Sequence, residues 1–182
     1  MTPTSPTAPP VEGKARWQAF AICVAVAALT ILDLSKVNVG LPSIEESLGA
    51  NSSQLQIIVA GYALAFGLAL VPSGRLGDLY SRKVLFIVGL SGFTVASALC
   101  ALAPNIEMLV AARILQGVAA GVQMPQVLGL VQQLFRGEER GRAFGVFGAT
   151  IGVATAFGPT LGGLLIAIGG AADVWSLLVW MN

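Results

Sequence analysis

Long apolar segments without a charged side chain alternate along this chain with short segments that carry the charges. The charge-free runs cover 17–32, 47–74, 84–106, 114–135 and 143–172. About 20 consecutive apolar residues allow a helix to cross a bilayer, and no run shows the alternation of a membrane β-barrel strand. Because a backbone in lipid must satisfy its own hydrogen bonds, the pattern predicts an all-α, polytopic membrane helical bundle.

The runs predict a short tail followed by five spans and the start of a sixth. The tail, residues 1–13, is rich in proline and is predicted to be disordered in the cytoplasm, whereas residues 14–182 form the transmembrane bundle. We expect the spans at about 17–41, 54–73, 84–103, 106–134 and 142–168, with a partial sixth at 173–182. Since about ten residues cannot cross a bilayer, we expect the front part of a longer protein or a truncated product.

Composition excludes most classes of soluble protein. Of the 182 residues, 55% are hydrophobic and 10% are charged, against roughly 25% charged in an ordinary soluble domain. A net charge of +1 gives no field that would attract nucleic acid. The chain lacks histidine, a nucleophile–base pair and a phosphate loop, and its cysteines, Cys23 and Cys100, lie in apolar runs without metal-ligand spacing. We therefore expect no enzyme, no metal site, no cofactor and no nucleic-acid partner, and two cysteines that serve packing.

The basic residues predict the orientation in the membrane. Eight of the ten lie in segments that would share one side: Lys14, Arg16, Arg75, Arg82, Lys83, Arg136, Arg140 and Arg142. The opposite loops, 42–53, 104–105 and 169–174, contain no lysine or arginine. The positive-inside rule therefore predicts a cytoplasmic N-terminus and a multi-pass protein of the plasma or inner membrane.

Two opposite charges, Asp33 and Arg113, interrupt the predicted spans. Asp33 lies eight residues before Leu41 and Arg113 lies seven residues after Ile106, the expected outer ends of their spans. At 1.5 Å per residue their depths are about 12 and 10 Å, so the two side chains can pair or face one cavity. A charge deep in a span is costly and usually has a reason. The pair is either a protonatable acid modulated by Arg113 or a structural ion pair.

Further polar residues share these two spans. Lys36 follows Asp33 by three residues and so shares its helix face; it either neutralises Asp33 or lines a cavity and favours anionic groups. Gln116 lies one turn after Arg113, and Gln123 follows on the same span. Glutamines within a span are typical of a wet interior surface.

The segment 74–83 connects the second and third spans and carries several residues that can form hydrogen bonds or ion pairs. Gly74 allows close backbone approach, and Asp78 can accept hydrogen bonds from an arginine or a helix N-terminus. Arg82 and Lys83 can bind anionic lipid or Asp78. The alternative is a basic loop without a further role.

Four motifs resemble those of the major facilitator superfamily. Segment 74–83 (G-x-L-x-D-x-x-x-R-K) resembles that family's signature between helices two and three, although Leu79 and Ser81 depart from it. Segment 109–117 (L-x-x-x-R-x-x-Q-G) resembles the helix-four motif that the family links to proton coupling. Segment 32–42, which holds Asp33, resembles the helix-one motif of the fourteen-helix drug:proton antiporters, with a lysine at a usually apolar site.

The fourth motif, Gly158, Pro159, Gly162 and Gly163, resembles the helix-five pattern of antiporters. Small residues also recur at steps of three or four along this span, among them Gly145, Gly148 and Gly152, and would let a neighbouring helix approach closely.

The resemblance implies a proton-coupled antiporter that exports small apolar or multidrug-type compounds by alternating access and uses a proton gradient instead of a cofactor. Asp33 and Arg113 would couple the protons in a cavity lined by helices one and four. The residues implied for cavity and substrate are Lys36, Asn38, Gln116 and Gln123. The residues implied for the gating loop are Gly74, Asp78, Arg82 and Lys83.

The resemblance also implies partners: a small-molecule substrate, protons, the lipid bilayer and a missing C-terminal half of the transporter. Two alternatives stay open at this point. The chain can be a fragment or membrane partner that transports nothing without a second half, or it can belong to a metabolite or sugar symporter of the same superfamily.

Overall fold

The computed structural model describes residues 13–169, which form five helices and no strand. The helices are α1 (Gly13–Leu48), α2 (Ser52–Leu79), α3 (Arg82–Ala101), α4 (Ile106–Leu134) and α5 (Gly137–Gly169). All five are long and apolar enough to cross a membrane, so the predicted all-α membrane bundle is confirmed. The tail through residue 12 and the partial sixth span at 173–182 lie outside the described residues.

Local sequence signals set where the helices begin. Asn51 caps α2 through a reciprocal pair with Gln54, in which each side chain bonds the other residue's backbone N–H at 2.9 Å. Asn105 caps α4 by accepting from the Met108 N–H at 2.9 Å. Gly49 and Gly137, with φ of 62° and 55°, supply the left-handed turns between helices. Among successive helices only α3 and α4 pack extensively; the other extensive contacts join α2 to α4 and α1 to α5.

Helices α1, α2 and α5 extend past the predicted spans at both ends, whereas α4 has the predicted bounds and α3 is shifted by two residues. Hydrophobicity marks the bilayer crossing and not the helix end. Helix α2 runs through Leu79, so the predicted loop 74–83 is helical except at Tyr80 and Ser81. Helix α1 continues through Pro42 to Leu48. The polar turns beyond an apolar run can stay helical because their backbone hydrogen bonds form within the helix and do not depend on apolar side chains.

Helix α4 is the central helix of the bundle and packs along both α2 and α3. Glycines make these contacts close. A Cβ at Gly117 would meet the backbone of Tyr62, and one at Gly121 would meet the backbone of Phe66 and the Cβ of Ala69 at 2.7 Å. Backbones can approach this closely only where one helix lacks side chains.

Helix α5 packs mainly against α1 and uses one face to do so. Gly158 is buried against Ser35 of α1, where a Cβ would overlap the serine side chain. The other face carries Gly145, Gly148 and Gly152, where an added Cβ would meet no atom of the described chain within 4 Å. That small-residue face of α5 is therefore open.

Candidate functional site

Asp33 and Arg113 form an ion pair inside the bundle. The Arg113 Nη1 donates to the Asp33 Oδ2 at 2.7 Å, and both side chains are 1% exposed. The pair joins α1 to α4, so the two residues lie at the same level of the bundle. Because both charges are removed from water, the free-energy cost of burying each one is offset by its attraction to the other.

Two further side chains contact the guanidinium, and a third bonds one of them. Its Cζ lies 4.4 Å from the ring centroid of Tyr62 on α2, a cation–π contact. Its Nη1 also donates to the Gln116 Oε1 at 2.6 Å, and that oxygen accepts a weak hydrogen bond from the Cys100 thiol at 3.7 Å. All four helices α1 to α4 thus contribute to the site.

The other two residues named on α1 differ in their surroundings. Lys36 is buried like Asp33 one turn before it, so among the described residues the interior of the bundle holds one carboxylate and two cations. Asn38 is exposed, and its Nδ2 donates to the Leu34 carbonyl of the preceding turn at 3.0 Å. The structure brings Lys36, but not Asn38, into the layer of the ion pair.

Glutamines continue the polar side of α4 toward the other end of the bundle. The Gln123 Nε2 donates to the Thr30 Oγ1 at 2.6 Å, and the Gln126 Nε2 donates to the Ser73 carbonyl at 2.8 Å. The Ser73 hydroxyl in turn donates to the Gly121 carbonyl at 2.7 Å. These bonds tie α4 to α1 and α2.

Sequence reasoning did not name Thr30, Tyr62 or Ser73 as site residues. A signal existed for Thr30, which lies one turn before Asp33, and for Tyr62, an isolated phenol within an apolar span. Ser73 gave no comparable signal, because its role depends on which face of α2 meets α4.

The residues of segment 74–83 join the ends of α2, α3 and α4. Asp78 and Arg82 form an ion pair across the short connection. The Arg82 Nη1 lies 3.5 Å from the Pro125 carbonyl, and its guanidinium packs on Gly129. Gly74 also faces Pro125.

Lys83 and the predicted motif residues of α5 lie away from these contacts. Lys83 is exposed and borders an apolar groove of about 290 Å³ between α1, α3 and α4. On α5, Gly158 contacts Ser35, two residues after Asp33, whereas Pro159 is exposed and Gly163 is open. Gly162 lies within α5, and its surroundings fall outside the description.

Residues 13–169 contain no group of three histidine, cysteine or carboxylate side chains that could hold a metal ion.

Comparisons with known proteins agree with the membrane bundle. The family model described as Major Facilitator Superfamily matches residues 21–182. The chain is 43% identical to the "Probable actinorhodin transporter" of Streptomyces coelicolor over 164 residues, which cover 90% of this chain and 28% of that protein.

Two further relatives carry the names of antibiotic resistance proteins. The "Puromycin resistance protein pur8" of Streptomyces alboniger is 41% identical over 87% of this chain and 33% of its own length. The "Methylenomycin A resistance protein" of Bacillus subtilis is 35% identical over 83% of this chain and 33% of its own length. The chain therefore spans about a third of the length of these relatives.

Proposed function

Because the chain belongs to the Major Facilitator Superfamily, a family of transporters, we propose that it forms the N-terminal part of a proton-coupled exporter. The complete transporter, meaning this chain continued to the length of its relatives, exchanges protons for small apolar or multidrug-type compounds by alternating access. The proton gradient drives the cycle, so no bound cofactor takes part.

The observation that carries the proposal is the buried ion pair of Asp33 and Arg113. When a proton binds Asp33, the carboxylate loses its charge and the strongest attraction that holds Arg113 disappears. Arg113 then relies on Tyr62 and Gln116, which already contact it. Because the pair joins α1 to α4, protonation loosens the contact between these helices, and release of the proton restores it.

A second contact fits a gate at the cytoplasmic end. Asp78 and Arg82 hold the ends of α2 and α3 together, and Arg82 also reaches the Pro125 carbonyl of α4. Such a clamp keeps these ends moving as one body while the two halves of a transporter rock.

The partner implied for this chain is a second half. The open face of α5, with Gly145, Gly148 and Gly152, is suited to a close helix contact. We propose that the C-terminal half packs there, so the 182-residue chain reconstituted alone transports nothing. Robust transport by the chain alone would contradict this dependence.

The relatives' names suggest the compounds with which to test export: actinorhodin, puromycin and methylenomycin A, here called the antibiotic panel. In inverted vesicles that contain the complete transporter, a pH gradient with an acidic lumen should drive uptake of at least one panel compound. Addition of that compound should in turn cause protons to leave the lumen. Movement of compound and proton in the same direction would instead support a symporter.

Cysteine labelling tests the proposed orientation, with the N-terminus in the cytoplasm. Ser53 and Tyr80 are exposed at opposite ends of α2, and the native Cys23 and Cys100 are buried. In the complete transporter, a bulky impermeant maleimide should label Ser53→Cys in intact cells and Tyr80→Cys only in inverted vesicles. The reverse pattern would invert the topology.

A further inference from the structure

Polar side chains recur along one side of α4 beyond the ion pair, which alone does not explain them. Arg113, Gln116, Gln123 and Gln126 follow one another at steps of three, seven and three residues, which places them on one side of the helix. The three glutamines are fully buried. Together with Thr30 and Ser73, which bond Gln123 and Gln126, these residues are here called the polar column.

The polar column leads from the ion pair to the cytoplasmic end of the bundle. Thr30 lies one turn below Asp33 on α1, and the thirteen residues from Arg113 to Gln126 rise about 20 Å. Gln126 packs on Gly77 of α2, and the exposed Asp78 with its partner Arg82 follows directly. Polar groups thus lie at intervals between a buried carboxylate at one end and an exposed carboxylate at the other.

Spare hydrogen-bonding atoms concentrate along this column. Within the described chain, seven buried side-chain nitrogen and oxygen atoms have no protein partner. Six belong to the column or its cytoplasmic end: Arg113 Nε and Nη2, Gln116 Nε2, Gln123 Oε1, Gln126 Oε1 and Arg82 Nε. The remaining one is Arg16 Nε.

This concentration argues against a role in packing alone. If the glutamines served only to join helices, both the oxygen and the nitrogen of each amide would be expected to form hydrogen bonds with the protein. A buried polar atom without a partner loses its hydrogen bonds to water and gains none in exchange. Here each of the three amides uses one end on the protein and leaves the other end unused. Spare donors lie on Arg113 and Gln116, and spare acceptors lie on Gln123 and Gln126. A chain of water molecules requires both kinds of partner.

We propose that the polar column holds a chain of water molecules that carries the proton from Asp33 to the cytoplasm inside the N-terminal bundle. Gln116 and Gln123, which the resemblance implied for the substrate cavity, are fully buried in the bundle and serve this proton route instead. This inference rests on the proposed function. The O–H bond at Asp33 breaks, each water accepts one proton and passes one on, and a new O–H bond forms on a water beside Asp78. The ion pair of Asp33 and Arg113 closes again as the proton leaves.

Variants of the column test the route in the complete transporter. Gln126→Met keeps the length of the side chain but removes both polar atoms, and Thr30→Val removes the hydroxyl that bonds Gln123. Gln132→Met makes the same change at an exposed position of α4 and serves as the matched control.

Two assays separate proton movement from movement of the compound. The first is uptake of a labelled panel compound driven by a pH gradient; the second is exchange of labelled for unlabelled compound at equal concentrations without a gradient, which requires no net proton transfer. We expect the driven rate of Gln126→Met and Thr30→Val to fall about tenfold or more. Their exchange rate should stay within about twofold of wild type. Gln132→Met should match wild type in both assays.

The outcomes distinguish the two proposals. Wild-type driven rates in both column variants would overturn the water route while leaving the exporter intact. An equal loss of driven uptake and exchange in both variants would overturn it as well, since the column would then serve only structure. A wild-type transporter that shows no driven transport of any panel compound would overturn the proposed function itself.

Discussion

Replacing Arg113 with methionine should destabilise the complete transporter by about 3–5 kcal/mol, because the variant removes the guanidinium that pairs with the buried Asp33 carboxylate. In the wild-type protein both side chains are 1% exposed and their polar atoms lie 2.7 Å apart. Methionine fills part of the guanidinium volume but offers no positive charge. Chemical or thermal unfolding of the detergent-solubilised protein measures the loss.

A double variant separates the buried charge from lost packing. Combining Asp33→Asn with Arg113→Met removes both charges, so it should recover part of the stability that Arg113→Met loses. Arg140 is exposed on α5, and Arg140→Met provides a matched control with an expected change of less than about 0.5 kcal/mol. If Arg113→Met were as stable as the control, Asp33 and Arg113 would not depend on each other.

The contact between α2 and α4 should be the part of the fold most sensitive to added volume. We expect Gly117→Val to cost about 3 kcal/mol or more, because the new side chain would displace the backbone of Tyr62 and not a flexible side chain. The displacement also moves the Tyr62 ring from Arg113, so driven transport should fall with stability.

A glycine on the other face of α2 provides the control for this prediction. Gly67 is exposed and has no atom within 4 Å of a Cβ. Gly67→Val should therefore keep the yield of folded protein near that of wild type, as measured by fluorescence-detected size-exclusion chromatography. Equal yields of Gly117→Val and Gly67→Val would contradict the close contact of α2 and α4.

The membrane fold could be predicted from the sequence because hydrophobic length and charge position act on each helix separately. The shared depth of Asp33 and Arg113 followed from counting residues along two helices of known rise. Which side chains meet them depends in addition on how each helix rotates about its axis, and no count along one helix contains that information.

Tyr62 and Ser73 illustrate what pattern reasoning misses. Both lie on the side of α2 that the glycines of α4 bring close, so their roles depend on two helices at once. Asn38 shows the reverse case: it shares a motif with Asp33 but is exposed and bonds only to its own helix among the contacts described. The helical form of segment 74–83 was missed for a different reason, since charged residues end an apolar run without ending a helix.

Proton release on binding of an exported compound tests most directly whether Asp33 exchanges a proton. The purified complete transporter, in a weakly buffered detergent solution with a pH-sensitive dye, receives a panel compound that the wild-type protein exports. The wild-type protein should release protons on addition of the compound, and Asp33→Asn should bind it and release none. Undiminished proton release by Asp33→Asn would contradict the account.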